Sequence, residues 1–211
     1  MFKFTGRIID STKKIMSNIV AAAKEFIMKN VKSKKPLMDA EIKMIVREAL
    51  NSCPEIESLR NGRLKVAFGL PDDPTDTIIN AICDSVYSNI ITGAGNSTTL
   101  DLNVLVYISP TNLSYLLTLP EAYIVTEKGR QIPWLSWLLT RGNDVLITGY
   151  MVRYEIGKGR SGGGFMMKTV KKPRVFKVDS QFAGTEEDNF ITRALDPKRE
   201  EILNALRKVL E

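Results

Sequence analysis

The sequence predicts an α+β protein, in which a small, mainly antiparallel twisted sheet contains a long hairpin, is packed by helices and is preceded by a long N-terminal helix. Three observations predict this class. They are a 3.6-residue apolar period near both termini, an alternating segment over residues 100–108, and two β-rich runs joined by a glycine-rich stretch at 157–164. With 211 residues, 44% of them hydrophobic, the chain is long enough for one domain and an appendage.

The first predicted element is a long amphipathic helix over residues 7–32. Its apolar residues recur with the helical period. They are Ile8/Ile9, Ile15/Met16, Ile19/Val20, Ala22/Ala23, Phe26/Ile27 and Val31. Lysines lie between these pairs, and in such helices the lysines most commonly form a solvated basic face. The functional alternatives are a helix that docks on a partner protein, a membrane-surface helix and a nucleic-acid-binding arm.

The basic charge is concentrated at the N-terminus. Residues 1–36 contain nine lysines and arginines and two acids, whereas the remaining 175 residues contain 21 bases and 22 acids. Lys32–Pro36 is predicted to be a charged linker, because proline interrupts helices. We therefore divide the chain into a basic amphipathic helical arm, residues 1–36, and an α+β domain, residues 37–211. The near-neutral domain argues against a nucleic-acid-binding body.

Two helices and a strand are predicted between the arm and the alternating segment. In order, they are a helix over 39–51, a strand over 63–70 and a helix over 75–91. Asp39 caps the first helix, and either Thr75 or Asp76 caps the second. An Asn61-Gly62 turn leads into the strand.

The second half is predicted to contain a short helix, a long hairpin and a C-terminal helix. Their ranges are 132–139 for the short helix, 145–156 and 165–178 for the two strands, and 197–211 for the last helix. Pro133 occupies the first position of the short helix, with Trp134 and Trp137 on one face. The stretch 157–164 forms a flexible, basic hairpin tip, ordered only where a partner holds it. Asp196 caps the C-terminal helix.

No cofactor is expected from the residue types. The chain has no histidine and two cysteines, Cys53 and Cys83, which nearly excludes a structural zinc site. Two reduced, partly buried thiols are expected, in a protein made in a reducing compartment. Polar residues at 10–14 interrupt the apolar core that a signal peptide needs, and no apolar run reaches the roughly 18 residues of a membrane span.

Two patterns at the hairpin tip resemble catalytic motifs without their chemistry. Gly157, Gly159 and Gly162 match the dinucleotide fingerprint, but a strand is predicted after them where a helix is required. The nucleophile-elbow pattern around Ser161 lacks a histidine base. We therefore expect no enzyme. The rival hypothesis is a small-ligand enzyme that uses the loops 93–98 and 157–164.

Four segments resemble tail-completion and neck proteins, the head–tail connector proteins of tailed bacteriophages. They are Asn61–Leu70, Ile132–Leu139, Gly159–Gly164 and Phe182–Leu195. The resemblance covers residues 60–195. It implies a ring-forming structural protein of the virion, made in the host cytoplasm, with no active site. Its implied partners are other copies of itself in a six-fold or twelve-fold ring and neighbouring neck, portal or tail proteins. A weak contact with DNA in the channel is also considered, and no membrane is expected.

The expected interface residues fall into three groups. Ile15, Ile19 and Phe26 would dock the apolar face of the arm on a neighbouring protein. Lys158 and Arg160 would face an acidic partner surface from the hairpin tip. Trp134 and Trp137 complete the set of residues expected at an interface.

Overall fold

A computed structural model describes residues 10–92, 102–108, 111–126, 129–169 and 174–210. Its first element is one helix of 40 residues, α1 (Thr12–Asn51). The predicted linker at 32–36 and the division into two helices are wrong, because Pro36 lies inside this helix. Proline removes one backbone hydrogen bond, but Val31 and Met38 on either side of it are both buried, and this packing holds the helix continuous. The division into an arm and a domain stays a prediction.

Shorter helices follow α1 along the described chain. They are α2 (Pro54–Asn61), α3 (Arg63–Phe68), α4 (Thr75–Ser85), α5 (Thr111–Leu116), α6 (Leu135–Leu139), α7 (Phe190–Leu195) and α8 (Arg199–Leu210). Single 3₁₀ turns lie at Pro120–Ala122 and Asp196–Lys198. None of the helices in the described ranges has the length and apolar character to cross a membrane.

The strands form antiparallel pairs rather than one sheet. The strands are β1 (Val86–Thr92), β2 (Leu102–Ile108), β3 (Ile124–Val125), β4 (Gln131–Ile132), β5 (Ile147–Thr148), β6 (Tyr150–Tyr154), β7 (Gly164–Lys168) and β8 (Val175–Phe176). The pairs are β1–β2, β3–β4, β5–β8 and β6–β7. The α+β class is confirmed. The predicted long hairpin is also present, since β6–β7 forms its outer part and β5–β8 its base.

The core is built around the C-terminal half of α1. This half packs against α4, α7, α8 and β1. Its buried residues are Met38, Ile42, Ile45, Val46, Ala49 and Leu50. The hydrophobic cluster continues through α2, α3 and α6, where the rings of Phe68 and Trp134 have centroids 5.5 Å apart. One apolar core therefore joins the helices, and the strand pairs lie around it.

Two predicted elements in the first half have a different structure. The predicted strand over 63–70 is helix α3, because Leu64, Ala67 and Phe68 at helical spacing all enter the core. Gly69 ends it with a φ of 67°, in the left-handed region that glycine readily adopts.

The predicted helix over 75–91 ends at Ser85, because the next residues pair with β2 from Val86↔Ile108 onwards. Neither Thr75 nor Asp76 is its cap. Asp73 Oδ1 accepts the Thr75 N–H at 2.9 Å.

The C-terminal caps also differ from the prediction. Asp196 begins a 3₁₀ turn instead of capping a helix. The side-chain cap in this region belongs to the preceding helix α7, where the Asn189 side chain accepts the N–H groups of Ile191 and Thr192. The Thr192 hydroxyl in turn accepts the Asn189 N–H at 3.0 Å, so the two residues form a capping box.

Candidate docking surface

Helix α1 carries apolar side chains along one line of its surface, all exposed except the half-buried Ile15, in two groups with the polar Asn30 and Ser33 between them. This apolar stripe consists of Ile15, Ile19, Ala22, Phe26, Leu37, Ala40 and Met44. At 3.6 residues per turn, the seven positions fall within a sector of about 60° on the helix surface. Phe26 is 66% exposed and Leu37 55% exposed, so both halves of the helix contribute to it.

The apolar stripe faces away from the core. The buried residues of α1 are centred roughly 160° around the helix from the centre of the stripe. Single exposed apolar side chains are normal on a protein surface, whereas a contiguous apolar patch marks a contact surface. From Val31 onwards the folded chain covers one face of α1 with its own core and leaves the stripe in solvent.

Three of the predicted interface residues lie together on this surface. Ile15, Ile19 and Phe26 occupy the N-terminal part of the stripe, where no residue from 12 to 30 is buried. Sequence reasoning missed Leu37 and Met44, because the linker predicted at 32–36 interrupted the helical register. The signal that could have found them is the 3.6-residue period itself, which continues past Pro36.

The two basic residues of the hairpin tip that were predicted to lie at an interface have different surroundings. Arg160 Nη1 donates to the Val125 carbonyl oxygen at 2.6 Å, so its guanidinium binds its own chain. The side chain remains exposed, so its predicted contact with an acidic partner surface stays a prediction. Lys158 is exposed and still fits the prediction, which no observation tests.

Backbone hydrogen bonds give the tip a defined turn. The Gly157 N–H donates to Gly162 O at 2.7 Å, and the Glu155 N–H donates to Gly163 O at 2.9 Å. Gly164 lies so close to Val66 of α3 that a Cβ atom there would clash. Order in this turn comes from the chain itself, contrary to the expectation that a partner must supply it. Ile156, which sequence reasoning missed, is 96% exposed beside the turn.

The two tryptophans are core residues, and their assignment to an interface is corrected. Trp134 and Trp137 are both buried. Trp134 Nε1 donates to Glu121 O at 2.8 Å, and Trp137 Nε1 donates to Asp144 O at 3.2 Å. The short helix α6 begins at Leu135 and is preceded by Trp134. Pro133 therefore lies before the helix and does not occupy its first position. The face that carries both tryptophans therefore packs into the core.

The described residues do not assemble a recognisable catalytic site. They include no group of three metal-ligating side chains. The Ser161 hydroxyl accepts the Gly163 N–H at 3.4 Å, within its own turn. Cys53 and Cys83 are free and buried, and burial raises the pKa of the Cys53 thiol to about 11, which suppresses its reactive thiolate. The loop 93–98 of the enzyme hypothesis lies outside the described residues.

An open groove lies between α1 and α8, beside the C-terminal half of the stripe. It encloses about 600 Å³. Leu37 and Ile45 line it from α1, and Ala205 and Val209 line it from α8. The Lys34 ammonium donates to the Leu210 carbonyl oxygen at 3.2 Å and closes one end. The groove and the C-terminal half of the stripe share Leu37, so the two surfaces adjoin.

Comparison with known proteins gives no relative. No protein-family model matches the chain, and neither a search of curated proteins nor a search of solved structures finds a match.

Proposed function

We propose that this protein is a structural component of a tailed-bacteriophage particle, a ring-forming head–tail connector protein of the neck or tail-completion kind. It acts by docking to other proteins. The observation that carries the docking role is the apolar stripe, which runs for about 44 Å along α1 and takes no part in the core. The connector assignment rests on the resemblance of residues 60–195.

A nucleic-acid role fits the arm less well. The described part of the arm, residues 10–36, contains seven lysines, of which Lys14 and Lys35 pair with Asp10 and Asp39 and Lys34 donates to the Leu210 carbonyl oxygen, which leaves four. So few phosphate contacts would give weak binding that falls steeply with salt. Phe26 lies among aliphatic residues of the stripe rather than in an aromatic stacking surface. The apolar residues, not the lysines, therefore define the contact.

A membrane-surface role is disfavoured by the second half of the stripe. Such a helix lies flat with its apolar face in the lipid and basic residues around it. Leu37 and Met44 are exposed beside Glu41, and anionic headgroups would repel that carboxylate. A protein surface, which can match both halves, fits better.

The location of the protein in purified particles tests the proposal. Quantitative mass spectrometry of particles from the source phage, with gold-labelled antibody in electron microscopy, should find the protein at the head–tail junction. The number of copies per particle should be a multiple of six. Its absence from purified particles, or its presence only in the soluble lysate, would contradict the connector role.

A further inference from the structure

The first half of α1 and the groove between α1 and α8 are complementary surfaces of one chain. We propose that residues 12–30 of one copy, hereafter the arm helix, dock in the α1–α8 groove of the next copy. This inference rests on the proposed docking function and names the partner of that surface, a second copy of this chain. The contact is head-to-tail, because the arm helix and the groove are different surfaces.

The continuity of α1 excludes docking within one copy. The groove begins at Lys34 and Leu37 on the same helix that carries the arm helix. Phe26 and Leu37 are therefore held about 16 Å apart along one helix axis. The arm helix cannot turn back into its own groove unless α1 breaks. Only another molecule can supply an arm helix to the groove.

The charges favour the groove, rather than a second arm helix, as the docking site of the arm helix. The arm helix carries Lys13, Lys14, Lys24 and Lys29 against Glu25, so two arm helices side by side would repel each other. The charged residues of the groove cancel, since Lys34 and Lys208 are balanced by Glu41 and Glu201. Glu41 and Glu201 can also attract the lysines that flank the incoming stripe, although Lys198 already pairs with Glu201 at 2.7 Å.

The shape and lining of the groove suit about two turns of helix. Between Leu37 and Ile45 its α1 wall is about 12 Å long, and both helices contribute apolar side chains to a lining that also contains charged residues. Ile19, Ala22 and Phe26 span a similar length along the arm helix, with a small residue between two large ones. A contact of this size is small for a stable complex, so each pairwise contact should be weak and gain strength by ring closure.

Disulfide trapping captures such a weak contact. Two full-length variants, Ala22→Cys on the stripe and Ala205→Cys in the groove, would be mixed and oxidised. Cys53 and Cys83 are buried and give little background. The matched control replaces Ala22→Cys with Ala21→Cys, an exposed alanine 100° further around the same helix. We expect the Ala22/Ala205 mixture to give a crosslinked dimer in severalfold higher yield than the Ala21/Ala205 mixture.

The crosslinking yields of the two mixtures test the proposal independently of any experiment on particles. Equal yields from the two mixtures, including no crosslink from either, would overturn arm-to-groove docking. So would preferential crosslinking of Ala22→Cys with itself, which indicates contact between two arm helices. If the proposed crosslink forms while the protein is missing from particles, the self-contact stands and the connector role fails. If equal yields accompany a head–tail location, the connector role stands and the groove has another occupant.

Discussion

Arg193 Nη1 lies 3.1 Å from Glu55 Oε1, and this ion pair joins α7 to the first turn of α2. Glu55 is 2% exposed, and the same guanidinium also donates to Asp188 Oδ1 at 2.6 Å. Removal of Arg193 leaves a buried carboxylate without its cation. We therefore expect Arg193→Ala to lower the free energy of unfolding by about 3 kcal/mol, as measured by urea titration.

Glu55→Gln is the matched control for this pair. The amide oxygen can still accept from Arg193 and leaves no buried charge, so the loss should be smaller, about 1 kcal/mol. Equal losses from Arg193→Ala and Glu55→Gln would show that the buried charge is not the source of the effect.

Asp39 makes a contribution to the free energy of unfolding that depends on pH. Burial alone would raise its pKa, but hydrogen bonds from Lys35 Nζ and from the Ser88 hydroxyl and N–H together lower it below 3.8. The folded protein thus holds the carboxylate more strongly than the unfolded chain. The resulting stability is present above the ordinary pKa and is lost as the pH falls through the lowered one.

We expect Asp39→Asn to flatten this dependence. Urea titrations at several pH values below 5 should show a smaller acid-induced loss of unfolding free energy in the variant than in the natural protein. Other acids contribute equally to both proteins, so the difference between the two curves isolates Asp39. Superimposable slopes would contradict a stabilising role for the Asp39–Ser88 contact between α1 and β1.

The cysteines should react slowly in the folded protein. A pKa of about 11 leaves only about one thousandth of Cys53 as thiolate at pH 8. Burial also raises the pKa of Cys83. Iodoacetamide should label both cysteines quickly in urea. In buffer, where burial also blocks access, the labelling should be slower by about tenfold or more. The exposed thiol of Ala22→Cys is the positive control, and similar native rates for all three would contradict the structure.

The two basic residues of the hairpin tip should have different effects. Arg160→Glu loses the hydrogen bond to Val125 O and should lower the unfolding free energy by about 1 kcal/mol. Lys158→Glu should leave stability unchanged, because its side chain is exposed. Any loss of Lys158→Glu from particles would therefore report docking alone. Normal incorporation of Lys158→Glu would contradict a docking role for this residue.

The sequence was most informative where one periodicity ran without interruption. The alternating residues of β2 and the apolar pairs that recur with the helical period in the first half of α1 predicted the observed elements. Prediction failed where packing overrides local propensity. Pro36 indicates a break by its own chemistry, and only the burial of Val31 and Met38 shows why the helix continues.

The candidate site was predictable in part for the same reason. Ile15, Ile19 and Phe26 follow from helical spacing alone. The burial of Trp134 and Trp137 depends on how distant segments pack, and so does the contact of Arg160 with Val125. The groove requires α8 to lie against α1, which no local pattern near either helix indicates.

The most direct test of docking through α1 compares two triple variants in particles. One replaces Ile15, Ile19 and Phe26 with Asp, and the other replaces Lys13, Lys14 and Lys24 with Gln. None of these residues is buried, so both variants should fold, as circular dichroism can verify. Incorporation of each variant into purified particles is measured by quantitative mass spectrometry. We predict that the aspartate variant is depleted by about tenfold or more, while the glutamine variant is incorporated nearly normally. The reverse ranking, with the glutamine variant lost and the aspartate variant incorporated, would contradict docking through the apolar stripe.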